Sequence, residues 1–196
     1  MYMTETLTKL DAARRQLVTA IRLHLADRDA VSVYTLATNA QEILSTLCDK
    51  NGVRSLRSNI ARPAGMTDAE MQTKLINPAR NFFKHADRDS DGLRPEFGET
   101  DCDHIILIPC FDINELEGKT PVEAQVFLTW YGALYPSKIP EPSDWHRAAA
   151  RKFPNLATFS RLEQKQRAQD MLRKALAHEN LMNDPGTDTR EVQRWV

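Results

Sequence analysis

The sequence predicts an all-α protein, folded as an antiparallel helical bundle with a C-terminal helical extension. Apolar residues recur at spacings of three and four, which is the period of an amphipathic helix. Helix-start signals precede several of these segments, and no segment shows the alternation typical of a strand. The chain of 196 residues is 41% hydrophobic, which is enough apolar material for one sizeable core.

The first two predicted helices are long and follow each other closely in the chain. The first covers residues 6–26 and carries an apolar stripe of leucines and an isoleucine. Asp29 is expected to cap the second helix, which ends at the stop signal Asn51-Gly52. The connector that follows is basic through Arg54, Arg57 and Arg62.

A third predicted helix contains a proline. Thr67 and Glu70 form a capping box, so the helix begins there. At Asn77-Pro78 the proline either kinks the helix or stands in the first turn of a new helix that Asn77 caps. We favour a kinked pair of helices that ends near Asp87, followed by an acidic loop over residues 88–103.

The C-terminal half is predicted to be helical as well, with a flexible end. The apolar run at residues 104–118 fits a buried helix or a short strand, and the run alone does not decide between them. A further helix follows, and a last helical stretch over residues 143–177 is interrupted at Pro154. Residues 1–180 are therefore expected to form a single helical domain, and the polar residues 181–196 a flexible tail.

The segment RNFFKH at residues 80–85 divides into two faces when it is drawn as a helix that advances about 100° per residue. When the projection covers residues 75–86, the apolar face that points to the core consists of Leu75, Ile76, Ala79, Phe82, Phe83 and Ala86. Asn81 and His85 are four residues apart, so their side chains can touch. The opposite face is polar and consists of Asn77, Arg80, Asn81, Lys84 and His85.

This polar face has the groups needed to cleave RNA without a metal. Attack by the 2′-hydroxyl needs a base and the leaving oxygen needs an acid, and histidine can serve in either role near neutral pH. Arg80 and Lys84 offer fixed donors for the charge that develops on the phosphate, and Asn81 can fix the tautomer of His85. The alternative is an ordinary solvated helix face.

The segment RNFFKH also resembles the R-(polar)-x-x-x-H motif of the HEPN superfamily, with Asn81 in the polar position. The upstream segment KLDAARRQLVTAIRLHLADRDAVSVYTLATNAQEIL resembles the two long antiparallel helices that precede that motif. The resemblance covers a motif-bearing core of roughly residues 7–90. Residues 100–180 match it only as a helical extension.

The resemblance implies a homodimer in which the motifs of two subunits face one cleft and act as a metal-independent endoribonuclease. His85 would be the acid and base, Arg80 the phosphate clamp and Asn81 the supporting polar residue. Lys84 and Asn77 would bind substrate, and no cofactor or metal is expected. The alternative is a non-catalytic HEPN-like module that binds a partner protein or a nucleotide. Some HEPN toxins carry a tyrosine two residues after the histidine, where this chain has Asp87.

Two metal-binding patterns are incomplete. A calcium loop would take ligands from Asp87, Asp89 and Asp91, with Gly92 in the turn, but its twelfth position is Gly98, which lacks a carboxylate. We therefore interpret the segment as a turn. The spacing of Cys102, His104 and Cys110 matches no usual zinc site, so a loop Cys102 and a buried Cys110 are expected.

The composition narrows the expected partners and location. A net charge of −1 argues against a broad nucleic-acid footprint, so DNA binding is not expected and RNA contact would be local. The acidic loop beyond the motif would repel RNA unless it folds away or the basic connector outweighs it. No segment reads as a membrane span or a secretory signal, and the cysteines suggest a reducing cytoplasm.

Overall fold

A computed structural model describes residues 6–85, 87, 90–93, 96–139 and 143–191, and over these ranges the all-α prediction is confirmed. None of the helices in these ranges is long and apolar enough to cross a bilayer. The helices are α1 (Lys9–Leu25), α2 (Ala30–Lys50), α3 (Leu56–Ala61), α4 (Asp68–Met71), α5 (Asn77–Lys84), α6 (Glu99–Glu117), α7 (Val122–Leu134), α8 (Asp144–Lys152), α9 (Arg161–Leu176) and α10 (Glu179–Met182). Two short parallel strands, β1 (Thr120–Pro121) and β2 (Thr187–Asp188), pair with each other.

Side-chain caps fix the starts of the helices that the sequence predicts. The Asp29 carboxylate accepts a hydrogen bond from the Ser32 backbone N–H at 2.8 Å, so α2 begins where it is predicted to begin. The capping box of Thr67 and Glu70 is present at the start of α4. Thr8 caps α1 in the same way. Local sequence signals therefore set these boundaries.

The region after α5 differs from the prediction. Residues 99–103, expected in an acidic loop, form the first turn of α6, because the Asp101 carboxylate accepts from the Gly98 N–H at 2.8 Å and closes the helix start. Cys102 is consequently buried in a helix instead of lying in a loop. The open question over residues 104–118 is resolved in favour of a buried helix. The basic connector also contains the short helix α3, which the sequence analysis does not predict.

The predicted flexible tail is packed over residues 181–191. The backbone N–H of Thr120 donates to the Gly186 carbonyl at 2.9 Å, next to the β1–β2 pair. Arg14 on α1 is only 4% exposed, and its Nε atom lies 3.3 Å from a Glu191 carboxylate oxygen and 3.8 Å from Asp188. A buried guanidinium requires nearby carboxylates. Asp188 and Glu191 meet this requirement, so their segment packs against α1.

The segment between α4 and α5 continues as a π-helix over residues 72–76, and Pro78 stands in the first turn of α5. A π-turn inserts an extra residue into a helix and therefore shifts the faces that follow. Leu75, which the uniform helical projection places on the apolar face, is 59% exposed, whereas Ile76 and Ala79 are buried. Helix α5 ends at Lys84, three residues before Asp87, where the sequence predicts the helix to end.

The core is built around α2, which packs along both α1 and α6, while α7 contacts α8 and α9. Phe127 and Trp130 of α7 are fully buried, and the Trp130 indole N–H donates to the Gln164 carbonyl at 3.0 Å. Trp130 is thus a core residue, as its helical spacing suggests. The interruption predicted at Pro154 is also confirmed, since α8 ends at Lys152 and α9 begins at Arg161.

Helices α7 and α8 approach closely at Gly132. A Cβ atom at this position would lie 2.9 Å from Ile139 Cδ1, 2.9 Å from Trp145 Nε1 and 3.0 Å from Ala149 Cβ. These separations are shorter than van der Waals contact. The glycine therefore permits this approach, even though glycine weakens a helix interior.

We expect Gly132→Ala to lower the free energy of unfolding by about 1–3 kcal/mol through overpacking. Steric strain should outweigh the gain of about 1 kcal/mol that alanine normally brings to a helix interior. Urea denaturation followed by circular dichroism measures the change. Unchanged or increased stability would contradict the close approach of α7 and α8.

Candidate functional site

The predicted site residues lie along α5 and at its C-terminal end. Arg80, Asn81 and Lys84 belong to the helix, and Ala79 on the other side is buried. His85 is the residue that follows the helix, with φ −126° and ψ 78°, so its backbone has left the helical conformation. The side chain of Arg80 is 16% exposed and that of His85 is 30% exposed. Both can therefore be reached from solvent.

Arg80 is held by a carboxylate from a different helix. Its guanidinium donates a short hydrogen bond to Glu42 on α2, and the Glu42 side chain is 49% exposed. The Nε atom of Arg80 is buried and has no hydrogen-bond partner among the residues that the structure describes. The guanidinium is therefore oriented by one anion while a further donor is left unsatisfied.

His85 is also beside a carboxylate. Its Nδ1 atom lies 3.7 Å from Asp87 Oδ1, and Asp87 is 79% exposed. The backbone N–H of His85 donates to the Asn81 carbonyl at 2.9 Å, which closes the end of α5. Within the described part of the chain no hydrogen bond joins the side chains of Arg80, Asn81 and His85. The side-chain contact expected from the spacing of Asn81 and His85 is thus not a hydrogen bond in this structure.

Asn77 has a structural contact at the start of α5. Its Oδ1 atom accepts from Gln72 Nε2 at 2.9 Å, and Gln72 in turn accepts from Arg57 at 3.1 Å. Arg57 lies near Asp49 and Asp68, at 3.5 and 3.7 Å. This arginine of the basic connector therefore lies between carboxylates of α2 and α4.

Several of the acidic residues predicted beside the motif are buried or paired in the structure. Asp103 is fully buried, and Glu99 pairs with Arg161 and Lys165 on α9 at 2.9 and 3.0 Å. Asp101 is occupied in capping α6. Asp89 and Arg94 lie outside the described residues, so the predicted calcium-like turn is described only in part.

A hydrogen-bonded cluster of buried and partly buried side chains surrounds Asp103. His24 Nε2 and Arg161 Nη2 both lie 2.6 Å from its Oδ1 atom, and the Tyr135 hydroxyl donates to Oδ2 at 2.7 Å. The Arg161 guanidinium also lies 5.0 Å from the centre of the Trp130 ring. This cluster, which we call the Asp103 network, joins α1, α6, α9 and the residue after α7.

Electrostatics show why the Asp103 network is stable. Burial lowers the pKa of His24, so the imidazole is neutral and donates its N–H to Asp103. Burial opposes the ionisation of Asp103, but the hydrogen bonds from His24 and Arg161 and the positive charge of Arg161 outweigh it and lower the pKa of Asp103. Because His24 and Asp103 are 2% and 0% exposed, substrate cannot reach them. We interpret the network as structural.

A cleft of about 530 Å³ lies where α6 approaches the π-helical segment before α5. His104 Nδ1 lies 3.1 Å from the Tyr131 hydroxyl in it, and the exposed Leu75 forms part of its wall. Burial lowers the pKa of His104 and raises the pKa of Tyr131 to about 12, so both groups are neutral near pH 7. Most of the described lining is apolar, and its charged members are Asp101 and Lys138.

Cys102, His104 and Cys110, which are zinc-ligand types, have other environments in the structure. Cys102 and Cys110 are free and fully buried, and burial raises the pKa of both thiols. His104 is bonded to Tyr131 instead of either cysteine. Over the described ranges, no group of three or more histidine, cysteine or acidic residues is arranged to hold a metal ion.

Comparison with known proteins gives no match. No family model matches the chain, and no curated protein or solved structure is significantly similar to it. The function therefore has to be argued from the geometry of α5 and its surroundings.

Asp103→Ala should lower the free energy of unfolding by about 3 kcal/mol or more, because Arg161 and His24 would lose a buried acceptor. Glu115→Ala, on the exposed side of the same helix, should change it by less than about 0.5 kcal/mol. Urea denaturation of both variants measures the difference. If Asp103→Ala lowered the free energy of unfolding no more than Glu115→Ala does, the structural role of the Asp103 network would be contradicted.

The stability that depends on neutral His24 should be lost as the pH falls. The folded protein keeps the pKa of His24 below its ordinary 6.5, so below that pH the unfolded chain binds more protons than the folded one. Asp103, Arg161 and Lys165 are the charged groups that act on this imidazole. We expect the advantage of wild type over His24→Gln to shrink below pH 6.5 by at most about 1.4 kcal/mol per pH unit.

Urea denaturation of both proteins at a series of pH values measures this advantage. The comparison cancels the contributions of other titrating groups, including Asp112, whose pKa is raised to about 6 by burial. A difference that is constant from neutral to acidic pH would show that His24 is not held neutral in the fold.

Proposed function

We propose that the protein is a metal-independent endoribonuclease of the HEPN type that acts through Arg80 and His85. One observation carries this proposal: each of these two side chains is partly exposed at the end of α5 and faces an exposed carboxylate, Glu42 or Asp87. A carboxylate oxygen presents the same kind of charged acceptor as a phosphate oxygen. The two carboxylates therefore stand where phosphate oxygens of RNA would bind.

The energy needed to exchange these partners is small. An exposed ion pair contributes about 0–1 kcal/mol, and Glu42 and Asp87 are 49% and 79% exposed. A phosphate can accept two hydrogen bonds from one guanidinium, which makes it the stronger partner. RNA can consequently displace Glu42 without disturbing the core.

In the proposed reaction His85 transfers protons. It accepts the proton of the 2′-hydroxyl as that oxygen attacks phosphorus, or it donates a proton to the departing 5′-oxygen. Arg80 and the exposed Lys84 stabilise the negative charge on the non-bridging oxygens. Asn81 lies on the same exposed side of α5 and supports the bound phosphate. A second copy of the chain would supply the other proton-transfer group across a shared cleft, as the family resemblance implies.

A non-catalytic role is the second candidate, and the Arg80–Glu42 ion pair favours it. If that pair serves only to attach α5 to α2, the polar face is a structural surface. The protein would then be a module that binds a partner protein or a nucleotide. The difference is measurable, because a structural ion pair stabilises the fold while a phosphate clamp acts on RNA.

The test is an RNA cleavage assay in EDTA with the wild type, Arg80→Ala and His85→Ala. Loss of an acid, a base or a phosphate clamp should reduce the cleavage rate by about 10²–10⁴-fold. Arg173→Ala is the matched control, because it removes an exposed cation from α9, away from α5 in the sequence. This variant should cleave RNA as the wild type does. The products should carry 2′,3′-cyclic phosphate ends, and circular dichroism checks folding.

Glu42→Gln gives an independent readout. Removing the competing carboxylate should tighten RNA binding by up to about fivefold, which corresponds to the worth of an exposed ion pair. Wild-type protein that cleaves no RNA, together with a Glu42→Gln variant that loses stability without gaining RNA affinity, would overturn the proposal in favour of the binding module.

A further inference from the structure

A groove of about 480 Å³ lies between α7, α9 and α10, in the C-terminal half of the chain. Its floor is aliphatic and sulfur-containing, formed by Val126 of α7, Met171 of α9 and Leu181 of α10. The volume falls in the range of about 300–1,000 Å³ that is usual for small-molecule sites. The groove is therefore large enough for a small organic molecule with an apolar body.

Besides the neutral Gln125 and Thr129, the described polar residues of the lining are two lysines and a histidine. Lys152 ends α8, Lys174 is in the last turn of α9, and His178 precedes α10. Both lysines are exposed, and among the described residues neither one forms an ion pair with a carboxylate. No aspartate or glutamate stands among the lining residues that the structure describes. Three elements thus bring positive or neutral donors to one apolar groove.

His178 is oriented by its own helix cap. Its Nδ1 atom accepts from the Leu181 backbone N–H at 3.3 Å, so Nδ1 carries no proton. The ring proton is then on Nε2, which is a donor. Gln125, on the same lining, is fixed by hydrogen bonds from its Nε2 to Thr120 and Thr187 at 3.0 and 2.9 Å. The packed C-terminal segment therefore helps to build the groove.

The lining also indicates which chemical class of ligand the groove could bind. The described residues of the lining include no phenylalanine, tyrosine or tryptophan, so none of them offers an aromatic ring on which a nucleobase could stack. An aliphatic body fits the floor of Val126, Met171 and Leu181, while an anionic head group fits the donors.

We propose that this groove binds a small amphipathic carboxylate, with its aliphatic chain on the floor and its carboxylate between Lys152 and Lys174. His178 donates an additional hydrogen bond to the head group. The proposal concerns different residues from those of α5 and is independent of the proposed ribonuclease activity.

Methionine-methyl NMR of the full chain can test this with octanoate as the probe. Met171 is in the groove, whereas Met71 lies in the separate cleft beside His104, so the two methyl groups report on different sites. Octanoate should shift the Met171 signal in a saturable manner and leave Met71 unchanged. Octan-1-ol, which has the same chain without the charge, should bind more weakly.

Variants at the two lysines separate charge recognition from apolar binding. Lys152→Met combined with Lys174→Met should weaken octanoate binding by about tenfold and leave octan-1-ol binding unchanged. Lys50→Met, which removes an exposed ammonium at the end of α2, is the matched control and should bind as the wild type does. Circular dichroism confirms that each variant is folded.

Three results would overturn the proposal. The first is an octanoate titration that leaves the Met171 signal unmoved. The second is a shift at Met71 in place of Met171. The third is octanoate binding that is equally tight in the wild type and in the double variant, because the lysines would then take no part in recognition.

Discussion

A fully buried carboxylate, that of Asp103, is the constraint on which the arrangement of the helices depends. An ionised carboxylate cannot stay in an apolar core without donors, so partners have to reach it from outside α6. His24 on α1, Arg161 on α9 and Tyr135 after α7 supply them. Each donor fixes one element relative to α6, because the hydrogen bonds allow little change of register.

The consequence is that the two halves of the chain are physically one unit. Arg161 and Lys165 of α9 also reach Glu99, and Lys165 reaches Asp27 at the turn after α1 at 2.7 Å. Arg14 of α1 meets Glu191 near the end of the described chain. The motif-bearing core and the helical extension are therefore joined by hydrogen bonds and ion pairs, although the family resemblance covers only the first of them.

The candidate site is attached to this frame by apolar contacts. Phe83 on the inner side of α5 packs edge-on against Tyr34 and Phe97, with ring centres 6.0 and 4.8 Å apart. The Tyr34 hydroxyl donates to the Ile76 carbonyl at 3.2 Å, where the π-helical segment joins α5. These contacts hold α5 from its apolar side and leave Arg80 and His85 at the surface.

The sequence by itself determined the helical class, the starts of α2 and α4 and the two faces of α5. These follow from spacings of three or four residues and from caps such as Asp29 and Thr67, whose partners are three residues away. The same local reasoning placed Arg80 and His85 on one helix end. It failed at Leu75, because the π-turn changes the helical period that the projection assumes.

Only the tertiary structure decided which polar residues are buried and which residues they pair with. His24 and Asp103 are 79 residues apart, and Arg14 and Glu191 are 177 apart, so no local pattern pairs them. The sequence therefore placed Asp103 in an acidic loop and left the C-terminal segment flexible. The physical reason is that the favourable energy of a buried ion pair exists only after folding has removed both partners from water.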